Sequence, residues 1–291
     1  MFATFRDEPL AREVIDEASH LMDMDLWRAD QEPADERIFQ NAMAQPLICS
    51  VALAAWRALS ARVPEPILCA GYSIGELAAY GCAGALSVAQ TVELARVRAT
   101  LMDVCAGADG GMLAIRGLLK PQLAAICTRF GAQIAIENGA DHFVVGGARP
   151  ALEQIAGQAA QEGASTVRLL QVSVISHTSV LEPVAHAFKE RLRGVAAQAP
   201  AFTVLAGISG AAVDNWPAAV DALASQIMQA IRWNTCIEAA VERGATAFLE
   251  LGPGASLVRM LQDSHPELHA RSLSDFRSID GAARWVERAL S

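Results

Sequence analysis

The sequence predicts an α/β protein: a body with a mostly parallel sheet covered by helices on both faces, and a small βαββαβ unit inserted into it. Three observations carry this. Short apolar runs alternate with helical periodicity at both ends of the chain, a β-α-β-β-α-β succession occupies the middle, and a G-x-S-x-G pentapeptide stands where a strand meets a helix.

Residues 8–22 and 46–60 carry the periodicity of helices, and "PILCA" at 66–70 is a short apolar strand followed by a helix over 74–84. Ser87 with Gln90 three residues on is a capping box, which opens a helix running to about Cys105. After "GADGG" at 107–111 come "MLAIRG" (strand), "KPQLAAICTRF" (helix), "AQIAIEN" and "HFVVGG" (strands), "ARPALEQIAGQAAQEG" (helix) and "STVRLLQVS" (strand). That is the order of a ferredoxin-like unit, spanning roughly 110–173 and dividing the body into 1–109 and 174–291. The chain then returns to alternation, with a helix near 179–193, strand "FTVLAGIS", helices over 217–229 and 234–243, strand "AFLEL", then "GPG" and a closing helix. Such alternation suggests parallel strands with helices on both faces.

With 291 residues, 53% of them hydrophobic, the chain can bury one substantial core. The net charge of -9 and the lack of any basic run argue against a nucleic-acid partner. Apolar runs such as "VALAAW" at 51–56 are too short to span a bilayer, and Asp7 and Glu8 interrupt the N-terminus, so no membrane partner and a cytoplasmic location are expected. Six cysteines, Cys49, Cys69, Cys82, Cys105, Cys127 and Cys236, lie without a C-x-x-C pair and mostly among apolar neighbours, which disfavours disulfides and zinc. His265 and His269 have a ligand-like spacing, but Pro266 between them breaks a helix, so no metal site is expected.

In Gly71-Tyr72-Ser73-Ile74-Gly75, the glycines relieve crowding around a strained serine, and the following amide lies at a helix start, where it can stabilise an oxyanion. That pattern gives the body a hydrolase-like character. The alternative is that Ser73 caps an ordinary helix. A serine nucleophile needs a base, and surroundings sort the histidines. His186 has Glu182, Lys189 and Glu190 at helical neighbour positions and faces solvent, His20 and His142 have no chemical company, and His265 and His269 belong to a polar loop. His177 follows the alternating run "VSVIS" and precedes a helix that Thr178 or Ser179 would cap, which places it at a strand end where open α/β sheets build their sites. Arg98 has Leu94, Ala95, Leu101 and Met102 three and four residues away, so its face is buried, whereas Arg96 beside Glu93 and Thr100 is a surface residue. A buried guanidinium is paired either with a protein carboxylate or with an anionic ligand.

Together "GYSIGE" with Ser73, "ARVRATLM" with Arg98, "VSVISH" with His177 and "LELGPG" at 249–254 resemble, in order and spacing, the malonyl-CoA:acyl-carrier-protein transacylase family over nearly the whole chain. The inserted unit is a family feature as well. Carried over position by position, the resemblance makes Ser73 the acylated nucleophile, His177 its base and Arg98 the partner of the substrate's free carboxylate. It implies that a backbone carbonyl, not a third acid, orients His177, and "ALASQIMQAIRW" puts Gln226 at that position. The Ile74 amide is then one oxyanion donor, and Met102 and Asn138 fall on substrate-lining positions.

Tyr72 stands where many members of the family carry His, and with "RSLSDFRSIDGAARWVERAL" near the C-terminus the chain looks most like the transacylase (epsilon) subunit of malonate decarboxylase. The implied partners are malonyl-CoA as substrate, an acyl-carrier protein bearing a CoA-like, phosphopantetheine-like group, and other malonate decarboxylase subunits, with no resident cofactor. The family opens with a strand and a loop, F-P-G-Q-G-x-Q, whose glutamine helps form the oxyanion hole. This sequence begins "MFATFRDEPL", beyond that point, and the expectation is a truncated start or another group in the glutamine's place. The alternatives are a transacylase of fatty-acid or polyketide synthesis, a Ser-His hydrolase or thioesterase that releases acid to water, and a non-catalytic carrier-docking subunit.

Overall fold

Helices dominate the N-terminal third because their apolar residues recur on one side. The computed structural model describes residues 2–29, 38, 40–105, 109–172 and 174–291. Helix α1 (Pro9–Met22) has Pro9 in its first turn, where the missing N–H costs nothing, and buries Ala11, Val14, Ile15 and Ala18. After the short α2 (Leu26–Ala29), α3 (Asn41–Leu59) starts before Pro46 and runs through it, so the start expected at residue 46 is too late. Burial of most of α3, Pro46 included, overrides the local penalty of the proline. By length and composition α3 is able to cross a bilayer; here 61% of that stretch is buried, against α1, α4 (Ile74–Cys82) and α5 (Val88–Cys105). The capping box ahead of α5 forms as expected, with Ser87 N donating to Gln90 Oε1 (2.8 Å) and Gln90 N to Ser87 Oγ (3.1 Å).

Between α3 and α4 lies β1 (Leu68–Ala70), whose end delivers Ser73. The segment expected as an inserted unit holds β2 (Gly110–Arg116), α6 (Lys120–Phe130), β3 (Gln133–Glu137), β4 (His142–Ala148), α7 (Arg149–Gln161) and β5 (Thr166–Leu169). The rest of the body comprises α8 (Glu182–Arg193), β6 (Thr203–Leu205), β7 (Ala212–Val213), α9 (Trp216–Met228), β8 (Ile231–Arg232), α10 (Trp233–Glu242), β9 (Ala247–Glu250), α11 (Ser256–Ser264), β10 (His269–Ser272) and α12 (Ile279–Ala289). The single closing helix expected after "GPG" is two, because α11 ends at Ser264, with His265 as its C-cap before Pro266, and β10 follows.

Parallel pairing occurs in the body, between β1 and β6 and between β9 and β10. The described strands nevertheless form two pieces, β1-β6-β7 and β10-β9, not one sheet. Leu68 and Ala70 of β1 and Phe248 of β9 pack on the same small cluster, Leu205 with Ala239 and Ala240 of α10.

The inserted sheet has the order β5-β2-β4-β3-β8, antiparallel except where β8 lies parallel to β3. It braces the segment that carries His177. A Cβ on Gly146 of β4 would lie 2.9 Å from Thr178 Cγ2 and 3.2 Å from Ile175 Cγ2, so only glycine admits this close approach. Gln133 of β3 exchanges two hydrogen bonds with Ser179 (2.7 and 3.0 Å). His177 itself lies in a turn and not at a strand end, since β5 stops at Leu169; Ser173 of the expected strand lies outside the described residues, as do Gly107 and Ala108 of "GADGG". Thr178 and Ser179 do not cap α8: the Thr178 hydroxyl donates instead to the Ile175 carbonyl (3.0 Å).

Candidate active site

The apolar strand β1 feeds directly into a sharp turn. Ser73 adopts φ 54° and ψ -117°, a conformation that a non-glycine residue holds only under strain, and its side chain makes no capping hydrogen bond. The helix-cap reading therefore fails. A Cβ on Gly71 would sit 2.0 Å from the Gly75 carbonyl carbon, so the first glycine is obligatory; a Cβ on Gly75 would meet nothing within 4 Å, so crowding does not require the second. Ile74 heads α4, and its amide is one that a helix start leaves without an intrahelical partner.

Ser73 Oγ and His177 Nε2 are 2.8 Å apart. His177 also has a positive φ, 60°, and is held from two sides by the end of α9: its backbone N–H donates to the Ile227 carbonyl (3.0 Å) and its Nδ1 to the Gln226 carbonyl (2.6 Å). Carbonyls in the last turn of a helix have no intrahelical donor, and here they serve the histidine. Because a carbonyl only accepts, Nδ1 carries the proton and Nε2 turns its lone pair to the serine. Burial, and then the neighbouring Arg98 charge, hold His177 down to about 3, so the imidazole is neutral at working pH.

Arg98 is buried, as its neighbours on α5 imply, at 3% exposure. Its Nη1 donates to Gln45 Oε1 (2.6 Å), and its Nη2 to Gln226 Oε1 (3.2 Å) and towards Ser73 Oγ (3.4 Å). All three partners are neutral. Among the described residues no carboxylate contacts Arg98 directly; the buried Glu76 acts on its charge from across the Gln226 amide. Burial draws its guanidinium down to about 10, so it remains a cation at neutral pH.

Gln226 enters twice, through the backbone carbonyl on His177 and through a side chain that bridges Arg98 to Glu76: its Nε2 donates to Glu76 Oε2 (2.5 Å). Gln45 and Glu76 are the residues that the sequence reading passes over. Met102, one turn beyond Arg98, is buried and receives Gln45 Nε2 at Sδ (3.5 Å), so it backs the amide that holds Arg98. Asn138 follows β3 and is 9% exposed, with Oδ1 unpartnered among the described residues. It stands beside Tyr72, whose phenol burial pushes up to about 12 against the opposing effect of the Asn138 side chain. Tyr72 in turn packs edge-on against Trp233, at 5.4 Å between centroids. Ser73, His177, Arg98 and Gln226 thus meet at one point, while Met102 touches it through Gln45 and Asn138 through Tyr72. Arg96 and His186 are on the surface, as expected.

A neutral imidazole can accept the proton of the strained hydroxyl beside it, and the serine oxygen can then form an ester with an acyl group whose acid the neighbouring cation holds. Fold and site together define an enzyme of the acyltransferase class. Residues 5–280 match the family model of the acyl transferase domain, and the chain belongs to that family. The malonyl CoA-acyl carrier protein transacylase of Mycobacterium tuberculosis (strain ATCC 25618 / H37Rv) is 30% identical to it over 287 residues, 97% of this chain and 94% of the relative. The solved malonyl CoA-acyl carrier protein transacylase from Coxiella burnetii matches with a TM-score of 0.94 at 26% identity, covering 100% of this chain and 93% of that one. A malonyl-transacylase solved in complex with a type II PKS acyl-carrier protein matches with a TM-score of 0.93 at 27% identity, over 98% of this chain and 94% of that one.

Proposed function

We propose that the protein transfers malonyl from malonyl-CoA to the thiol of an acyl-carrier protein through a malonyl ester on Ser73, and that its carrier belongs to a malonate decarboxylase system. The single observation that supports it most is Arg98: a buried cation with only neutral partners, 3.4 Å from the serine oxygen. A malonyl group is an acyl chain with a carboxylate close to its thioester, and such a cation selects it over acetyl.

His177 Nε2 takes the Ser73 proton as Oγ attacks the thioester carbonyl carbon. The oxyanion rests on the Ile74 amide, the C–S bond breaks, and the CoA sulfur leaves with the proton from His177. The second half reverses the roles. The carrier thiol gives its proton to His177, its sulfur attacks the malonyl ester, and Ser73 Oγ departs and regains the proton. Among the described residues no acid touches the ring, and the Gln226 carbonyl at the negative end of α9 takes that place on Nδ1 as the imidazolium forms. A substrate carboxylate on Arg98 also cancels one of the two effects that hold His177 down, so the correct substrate strengthens the base.

CoA is a substrate here and the pantetheine-like arm belongs to the carrier, so the reaction needs no resident cofactor or metal, and we place it in the cytoplasm. The inserted unit is read as ferredoxin-like, and Tyr72 with the segment forming β10 and α12 supports the malonate decarboxylase context. Carriers of fatty-acid or polyketide synthesis are the competing acceptors. The test is to offer the malonyl-loaded protein both a decarboxylase carrier with its CoA-like group and a fatty-acid carrier with phosphopantetheine. Faster transfer to the first supports the proposal, faster transfer to the second reassigns the acceptor, and release of malonate to water with neither carrier loaded identifies a hydrolase.

A further inference from the structure

Glu76 lies one turn into α4, fully buried, three residues after Ser73. Its Oε2 accepts from Gly207 N (2.9 Å) and from Gln226 Nε2 (2.5 Å), while Oε1 has no hydrogen-bond partner among the described residues. The seat is shaped for this carboxyl: a Cβ on Gly207 would lie 2.8 Å from Oε2. One amide separates it from Arg98, since the Gln226 side chain accepts from the guanidinium through Oε1 and donates to the carboxyl through Nε2. Charge is thus balanced without a carboxylate on the guanidinium itself, which keeps Arg98 open to a substrate.

We propose that Glu76 is the exchangeable counter-charge of the site: it balances Arg98 through the Gln226 amide while the site is empty, and takes a proton when a substrate carboxylate moves onto Arg98. The inference rests on the acyl-transfer reading above and deepens it. With the site empty, one cation faces one anion. A malonyl carboxylate adds a second anion to the same buried cation, and like charges sharing a site favour protonation of one of them. The acquired proton comes from solvent and settles on the free oxygen, Oε1, so the net charge around Arg98 stays zero. The coupling is between equilibria and does not depend on the proton's route.

The groups facing Glu76 leave it as the one that responds. Arg98 from α5 is a cation throughout; Cys69 from β1, Tyr80 from the same helix and Cys236 from α10 are all pushed up by burial and stay neutral. His177, beyond Gln226, is held low and is neutral too. Burial raises Glu76 itself to about 7, within reach of the added charge.

The test measures the concentration dependence of malonyl-CoA loading at about pH 6 and about pH 8, with acetyl-CoA as competitor because it carries the same phosphates and no carboxylate. In the wild type the half-saturating malonyl-CoA concentration, relative to the acetyl-CoA inhibition constant, should rise roughly five- to tenfold between these pH values. In Glu76→Gln the ratio should stay flat. A flat ratio in the wild type, or an equal rise in Glu76→Gln, overturns the proposal while leaving the acyl-transfer reading intact; a wild type that never loads malonyl overturns both. If Glu76→Gln does not fold, a proton count decides: Ser73→Ala in weakly buffered indicator at about pH 7.5 should withdraw a substantial fraction of a proton per site with malonyl-CoA and none with acetyl-CoA. Equal uptake with the two overturns the proposal.

Discussion

Replacing Arg98 by methionine tests the selectivity account in a quantity that can be worked out beforehand. Methionine keeps much of the apolar stem and removes the donors to Gln45 Oε1, Gln226 Oε1 and Ser73 Oγ. Loss of one desolvated charged contact costs about 2 to 5 kcal/mol. At about 1.4 kcal/mol per factor of ten, kcat/KM for malonyl loading falls roughly 30-fold to several thousandfold. Acetyl has no carboxylate to lose, so the malonyl-to-acetyl ratio of kcat/KM should drop by at least about 30-fold. Two buried amide oxygens are left without donors, at about 1 to 3 kcal/mol each, so the variant melts lower and its folding is checked by circular dichroism before the assay. A folded Arg98→Met protein with an unchanged ratio would refute the assignment of the carboxylate to this residue.

Three further outcomes follow from the geometry and the charges. Glu76 is raised from 4.5 to about 7, chiefly by burial, so the folded form binds more protons between those pH values and the carboxyl's contribution, present below 4.5, is lost as pH rises through 7. Glu76→Gln should therefore gain on the wild type by on the order of 3 kcal/mol in unfolding free energy between about pH 4.5 and about pH 8, and a difference independent of pH would show that Glu76 does not titrate there. His177, lowered from 6.5 to about 3 by burial and then Arg98, is already neutral below its usual range, so kcat/KM for malonyl-CoA should not fall between about pH 7 and about pH 5. A half-loss centred near 6.5 would contradict that environment. Gly71→Ala sets a Cβ 2.0 Å from the Gly75 carbonyl carbon, and should cost about 3 kcal/mol or more in denaturant unfolding together with loss of loading, whereas Gly75→Ala, with open space around its Cβ, should keep the fold.

Arg98 was legible because helical spacing surrounds it with apolar residues. The same spacing marks Glu76, which has Ala79 and Tyr80 after it, and Gln45, which has Ile48 and Cys49, so both belonged to the readable part of the site. What spacing does not carry is the meeting of α3, α4, α5 and α9 at one buried point, since each of those contacts joins residues distant in sequence. The order of the inserted unit was readable for the opposite reason. Its strands and helices are long enough for period 2 and period 3.6 to separate, and its turns carry their own signals. In the body, strands of two to four residues have no period to read, so the alternation predicts one sheet where the structure holds two pieces. Helix α3 passes Pro46 because packing on three sides outweighs propensity, and the turn at His177 reads as a strand because the residue types of "VSVIS" alternate in the sequence.

The covalent step is the most direct test of the whole account. Wild-type protein mixed with malonyl-CoA should gain one malonyl group by intact mass, lose it on addition of a carrier with a free thiol, and show the group on Ser73 after digestion; Ser73→Ala should gain nothing. No adduct on the wild type, or an equal adduct on Ser73→Ala, would contradict it.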